Sequence, residues 1–450
     1  MPQHLPQQRS KLQTFASLID SLQGLGERPM TIALRKKGAE RWSYAEIADH
    51  AMRLAQGLHE TGLGGGHQIA LLAENRPEWI IACLAVIRSG AAIVPLDIQL
   101  GDRTLRHALD DSEARLIFTT RVHADRLAGL KTRNHLRHLL LDGSEEDDRH
   151  WKKLLARSAS HLPMPDRERT AALFYTSGTT GPPKGVPLSH GNLLFEVETL
   201  IEQELVREGD RVLLPLPLHH VYPFVIGMFG ALATGAPLVL PHALTGPEIA
   251  RALREEQATI LVGVPRLYRA MYAGIEARAA SAGWIAARMF AAISGLSIGL
   301  RRRFGIRAGK TLLGRMHRQF GPSLRMLASG GSALDPELSW KLEGLGWEIA
   351  IGYGLTETSP LLTLNPPGKA RIGSAGRVIP GVELRIDTSV ETAGKPQDVS
   401  PGEIASGEIV SGEITSGEIL ARGPNVFAGY RNLPEATAEA FTTDGWFRTG

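Results

Sequence analysis

The sequence predicts an α/β fold in which parallel sheets are flanked by helices, followed by a small β subdomain. Three observations lead there. Strand-length apolar runs alternate with helical patterns through residues 1–165, and the same alternation resumes over 166–380. After Pro380 the pattern becomes short alternating segments broken by glycines. The chain has 450 residues, 43% of them apolar. At about 150 residues per domain that length suits three units, which we bound at 1–165, 166–380 and 381–450. A net charge of +3 with this apolar content excludes global disorder. So small a surplus also gives no case for nucleic acid.

The elements follow in order. Ser43 can cap a helix with Glu46 three residues on, and that helix runs to about Leu58 and stops near Gly62. Residues 68–72 read as a buried strand, Pro77 opens a helix to Arg88, and 91–95 form the next strand. Residues 116–119 and 138–141 are further short strands. Cys83 lies in the apolar run 80–86 and reads as a small core residue rather than a nucleophile. A single cysteine also excludes an internal disulfide framework and a multi-cysteine zinc site.

The polar start MPQHLPQQRSKLQ has no apolar core of a secretory signal. Residues 212–247 contain no Asp, Glu, Lys or Arg and are long enough to cross a bilayer. Pro215, Pro217, Pro223, Pro237 and Pro241 would break such a helix. A short buried helix, a turn and a buried strand fit better, and the expected compartment is the cytoplasm. Residues 279–320 are helical in pattern and carry Arg301-Arg302-Arg303. Three readings of that run stay open: a solvated helix end, contact with the inner face of an anionic membrane, or contact with a phosphate-rich ligand. Four tandem GEI-type repeats fill 402–420 with a period of five. An odd period puts successive isoleucines on opposite faces of a strand, so a surface hairpin or loop without chemistry is expected.

The most informative segment is Leu173-Phe174-Tyr175-Thr176-Ser177-Gly178-Thr179-Thr180-Gly181-Pro182-Pro183-Lys184-Gly185. An apolar strand leads into hydroxyls and glycines and ends on a lysine. Glycines let backbone N–H groups approach phosphate oxygens, hydroxyls add donors, and Lys184 supplies charge against a polyphosphate. A Walker A loop is excluded, because Pro183 precedes Lys184 and Gly185 follows it.

Five further segments accompany this loop: Ser189-His190-Gly191-Asn192, Pro217-Leu218-His219-His220-Val221-Tyr222, Val264-Pro265-Arg266-Leu267-Tyr268, Gly330-Gly331-Ser332-Ala333-Leu334 and Gly352-Tyr353-Gly354-Leu355-Thr356-Glu357-Thr358. A last one runs from Gly423-Pro424-Asn425 to Gly445-Trp446-Phe447-Arg448-Thr449-Gly450. Together they resemble the adenylate-forming superfamily of acyl-CoA synthetases, luciferases and adenylation domains, most closely the long-chain fatty acyl-CoA synthetases. The resemblance implies two stacked α/β subdomains with mixed, largely parallel sheets and a small β-barrel-like subdomain, with the ATP motifs in 166–380.

It also implies roles. Thr176, Ser177, Gly178, Thr179, Thr180, Gly181 and Lys184 would bind the ATP phosphates, with Ser332 and Ala333 at the adenosine. Tyr353 would stack on adenine beside Gly354, Thr356 would contact phosphate, and Glu357 would hold Mg²⁺. Adenine has a π face that an aromatic can cover, and Mg²⁺ takes hard oxygen ligands. His220 would orient the substrate carboxylate as a neutral imidazole, and Phe224 falls where an aromatic gate to an acyl tunnel would stand. Lys184, Thr356, Glu357 and His220 are the candidate catalytic residues. Ser189, His190 and Asn192 read as structural.

The implied reaction is ATP-dependent activation of a long-chain fatty acid to an acyl-adenylate, then thioester formation with CoA. Residues 212–247 offer no carboxylate to pair a substrate ammonium, which disfavours amino acids. Transfer to an acyl carrier protein, an aromatic-acid substrate, and a non-catalytic nucleotide- or lipid-binding module are the alternatives. The family's mobile C-terminal domain has no counterpart here, so the chain is expected to bind ATP and fatty acid but to be severely impaired alone.

Overall fold

The structure, a computed structural model, describes residues 12–159, 162–176, 181–368, 370–389 and 417–450. It contains a nine-stranded sheet, a six-stranded sheet and a three-stranded sheet. The six-stranded sheet is parallel through its middle: Gln68–Leu72 lies between Ala92–Pro95 and Leu116–Thr119. The nine-stranded sheet has a parallel centre of Leu238–Leu240, Val212–Leu213, Ile260–Gly263, Met326–Ser329 and Glu348–Gly354. Antiparallel strands close both of its edges.

Alternation along the strands sorts side chains between layers. Ile69 and Leu71 share one core with the helices Tyr44–Glu60 and Pro77–Arg88, while Ala70 and Leu72 face a second core with Leu105 and Leu109. In the larger sheet Leu238 and Leu240 join the first core, whereas Val239 joins a third with Leu253, Tyr268 and Leu342. The two sheets therefore stack with helices between them and helices outside each. Cys83 sits buried in the shared layer, where loss of solvation raises its thiol pKa.

The local expectations near the N-terminus are met closely. Ser43 and Glu46 form a reciprocal capping box on Tyr44–Glu60. The strand expected at 91–95 is Ala92–Pro95, and the one expected at 138–141 is Arg137–Leu140. Residues 279–320 divide into Trp284–Phe304, Gly309–Leu312 and Gly314–Phe320 after the end of Pro265–Ser281.

The sheets do not follow the expected boundary at 165. Pro29–Leu34 and Ala39–Ser43 belong to the nine-stranded sheet, with Thr31 opposite Leu238. Thr170–Thr176 and Lys184–Ser189 belong to the six-stranded sheet, through Ile93 opposite Ala172. Each body thus takes strands from both expected units, because an apolar strand pairs wherever an open sheet edge meets it. The change to the small sheet falls between Val378 and Glu383, and that sheet pairs Glu383–Asp387, Glu418–Arg422 and Phe447–Arg448 antiparallel.

The uncharged stretch 212–247 folds as a short strand, a π-helix Tyr222–Phe229 continued by Gly230–Leu232, and the strand Leu238–Leu240. No described helix is long and apolar enough to cross a membrane. The repeats at 402–416 lie outside the described residues, while the last copy enters the Glu418–Arg422 strand.

Candidate active site

The loops leaving the carboxyl ends of the parallel strands converge on one cavity of about 800 Å³. Val212–Leu213 leads to Leu216, Pro217 and His220, and Ile260–Gly263 leads to Val264. Met326–Ser329 leads to Gly330 and Gly331, and Glu348–Gly354 leads to Thr356 and Glu357. Such strand ends are where open α/β sheets bind ligands.

The cavity brings together Thr176, Lys184, His220, Tyr353, Gly354, Thr356 and Glu357. Thr176 and Lys184 are paired across the antiparallel Thr170–Thr176 and Lys184–Ser189 strands, so the loop between them hangs from a hairpin. Ser177, Gly178, Thr179 and Thr180 lie outside the described residues. Gly181 is exposed beyond them.

Two glycines are fixed by close approach. A Cβ on Gly354 would lie 1.6 Å from the Pro360 carbonyl oxygen, and one on Gly330 would lie 2.9 Å from the Tyr222 ring. Tyr222 is held there by donating to the Ala328 carbonyl at 2.9 Å. Ser332 and Ala333 are exposed next to this loop and are not part of the cavity wall.

Phe224 does not line the cavity. It is fully buried and packs edge-on against Phe174 at 5.3 Å and beside Phe229 at 5.1 Å. The cause is the π-helix, whose wider turn presents Tyr222, Pro223 and Ile226 to the cavity and turns Phe224 and Val225 into the core.

The adjacent histidines separate. His220 lines the cavity, while His219 points its Nε2 toward Asp97 Oδ1 at 3.7 Å. Desolvation, then the His220 ring beside it, pushes His219 down to about 4. Desolvation also lowers His220, so its imidazole is neutral at neutral pH.

The residue that sequence reasoning missed is Tyr430. Its hydroxyl donates to Glu357 Oε1 at 2.9 Å, and the Lys184 ammonium lies 4.7 Å from its ring centroid. Burial, then the Glu357 carboxylate, raises the phenol pKa and keeps it a donor. The only signal was its place in the 423–450 segment, where nothing local marks it as a partner of residues 184 and 357. Asn425 was missed in the same way. It is fully buried, and its Nδ2 donates to Glu196 Oε1, the Thr358 carbonyl and the Leu361 carbonyl at 3.0, 3.0 and 2.6 Å. The Phe427 amide also donates to the Glu357 carbonyl at 2.8 Å. The whole 425–430 segment therefore braces the loop that carries Thr356 and Glu357.

Glu357 is the only carboxylate on the cavity wall among the described residues, and no group of three or more metal-ligating side chains occurs among them. One carboxylate fits Mg²⁺ carried by nucleotide, since that ion keeps waters and phosphate oxygens as its other ligands. It does not fit a resident metal held by protein alone.

Comparison with known proteins identifies relatives along most of the chain. A feruloyl-CoA synthase of an Amycolatopsis species is 31% identical over 439 residues, covering 95% of this chain and 75% of that protein. The long-chain-fatty-acid–CoA ligase FadD15 of Mycobacterium bovis is 30% identical over 430 residues, covering 90% of this chain and 66% of that protein. The N-terminal domain of FACL13 from Mycobacterium tuberculosis superposes with a TM-score of 0.73 at 20% identity, covering 97% and 96% of the two chains, which shows the shared fold. The family model for AMP-binding enzymes matches residues 23–431, and the chain belongs to that family.

Proposed function

We propose that this chain activates an apolar carboxylic acid with ATP, for transfer to CoA, and that the acid is a long-chain fatty acid. One observation carries the reading: a single cavity joins Lys184, Thr356 and Glu357 to an uncharged wall that includes Leu200, Leu205, Leu216, Val221 and Ile226. Its volume lies toward the upper part of the range of about 300–1,000 Å³ usual for ligand pockets, which suits two substrates side by side. Each buried methylene of an alkyl chain would gain about 0.8 kcal/mol there.

In the first step a substrate carboxylate oxygen bonds to the α-phosphorus of ATP, and the bond to the bridging oxygen breaks to release pyrophosphate. In the second, the CoA thiolate bonds to the acyl carbon and AMP leaves. The acceptor in our reading is CoA, with an acyl carrier protein as the alternative. Lys184 and the Thr176 and Thr356 hydroxyls would hold phosphate oxygens, and Tyr353 would lie against the base. Neutral His220 would orient the carboxylate. Glu357, kept in place by Tyr430, would hold Mg²⁺, which neutralises phosphate charge when bound.

An aromatic acid is the second reading, favoured by the feruloyl-CoA synthase relative. Pyrophosphate exchange into ATP with palmitate, ferulate and an amino acid tests both, with fluorescent-ATP binding measured on the same preparation. Exchange with palmitate above that with ferulate or the amino acid is expected, however slow the turnover. Exchange with ferulate alone would overturn the long-chain reading, and absence of ATP binding would overturn the whole proposal.

A further inference from the structure

We propose that the helix Trp284–Phe304 and the turns that follow it form a docking face for an anionic lipid surface. The proposal does not depend on which acid the cavity accepts.

The first observation is that this helix is apolar on its solvent side as well as on its protein side. Trp284, Ile285, Met289 and Leu296 are 72%, 57%, 58% and 57% exposed and fall on one side of it. Its protein-facing side packs Phe290 and Ile293 on the third core, and also carries Ser294 and Ser297, both buried with hydroxyls that have no partner, and Arg301, which donates to buried Glu343 at 2.6 Å. The approach is close enough that a Cβ on Gly344 would lie 2.3 Å from Ile298. A water-facing helix normally turns charged and polar residues outward. Seven of the eleven large exposed apolar side chains among the described residues lie between Trp284 and Leu312. Clustering of that kind marks an interaction site, whereas scattered single residues do not.

The second observation is charge. Residues 277–334 contain ten Lys and Arg and no Asp or Glu, although the whole chain is only +3. The remainder of the chain is therefore net acidic. Arg301, Arg307 and Arg325 are spent on Glu343, Glu348 and Asp210. Arg278, Arg288, Arg302, Arg303, Arg315 and Arg318 are exposed and have no carboxylate partner among the described residues. Exposed arginines around an apolar face can extend their guanidinium groups to headgroups while their stems stay among the acyl chains. A second copy of the chain would set this cationic face against itself, so charge argues against self-association and for an anionic surface.

The test is flotation of the 450-residue chain with vesicles of phosphatidylcholine, with and without phosphatidylglycerol as about a third of the lipid, at low and high salt. Binding to the anionic vesicles alone, weakened by salt, is expected. Arg302→Gln with Arg303→Gln should weaken it about thirtyfold, at about 1 kcal/mol for each cation near a charged membrane. Met289→Gln with Leu296→Gln should weaken it by a similar factor, while both variants keep fluorescent-ATP affinity and thermal stability. Equal binding to neutral vesicles, no binding to either, or a dimer in gel filtration that the Met289/Leu296 variant disperses would each overturn the proposal.

Discussion

Replacing Asn425 by alanine tests the idea that a buried amide braces the phosphate-handling loop from behind. The amide is fully buried and its Nδ2 serves three acceptors on two other segments, Glu196 on the helix His190–Glu202 and the carbonyls of Thr358 and Leu361. Alanine supplies no donor to these three acceptors. A stranded buried acceptor costs about 1–3 kcal/mol. Carbonyls with a second partner relax part of that, so a total loss of about 3–5 kcal/mol is expected. Urea unfolding followed by tryptophan fluorescence measures it, with fluorescent-ATP binding recorded below the transition. Nucleotide affinity should also fall, because Thr358 follows Glu357 directly. Asn425→Asp separates donor from volume: it keeps the shape, sets one carboxyl against another, and should be about as destabilised at neutral pH and partly recovered in acid. Losses under about 1 kcal/mol in both variants, a size typical of ordinary surface changes, would refute the bracing role.

Tyr430→Phe keeps the ring beneath Lys184 and removes the donor to Glu357, so Mg·ATP affinity should fall by roughly tenfold to a hundredfold, as for one neutral-to-charged hydrogen bond. Tyr430→Leu should lose a further factor of a few as the cation–π contact goes; magnesium titrations of nucleotide binding would read both, and equal affinities for the two variants would contradict the separation. Burial raises the Glu196 carboxyl well above its ordinary value, with the Asn425 and Leu361 bonds opposing it. A raised folded-state pKa means this stabilisation is whole below the unfolded carboxyl value and is lost as pH rises through the folded value. Stability curves should therefore decline over that window, and Glu196→Gln should flatten them. Gly354→Ala would force a Cβ into the Pro360 carbonyl, so ATP binding is expected to be lost while the circular dichroism of the sheets survives; unchanged binding would show that the loop can shift.

Local order was legible because it is written in local pattern. The Ser43 box, the Pro77 helix start and the apolar strands all follow from neighbours within a few residues. The loop ending on Lys184 and the Tyr353-to-Glu357 segment announced themselves by chemistry that a fold has little other reason to concentrate. Phe224 was expected at the cavity by resemblance alone, and the π-helical turn that takes it into the core has no mark in the sequence. The bracing roles of Tyr430, Asn425 and Glu196 were hidden for a different reason. Their partners are distant in the chain, and only the packed structure turns an ordinary tyrosine, asparagine and glutamate into a brace. The assignment of strands to sheets was likewise beyond reach, since any short apolar strand suits either one.

That exchange of strands has a mechanical result. A protease cut near residue 160 would leave two pieces that cannot drift apart, for each would hold strands belonging to the other's sheet. Neither piece made alone could complete a sheet, and neither large sheet closes until the chain has doubled back on itself. The molecule is stitched like a seam passed through two cloths, so its two sheets should unfold together.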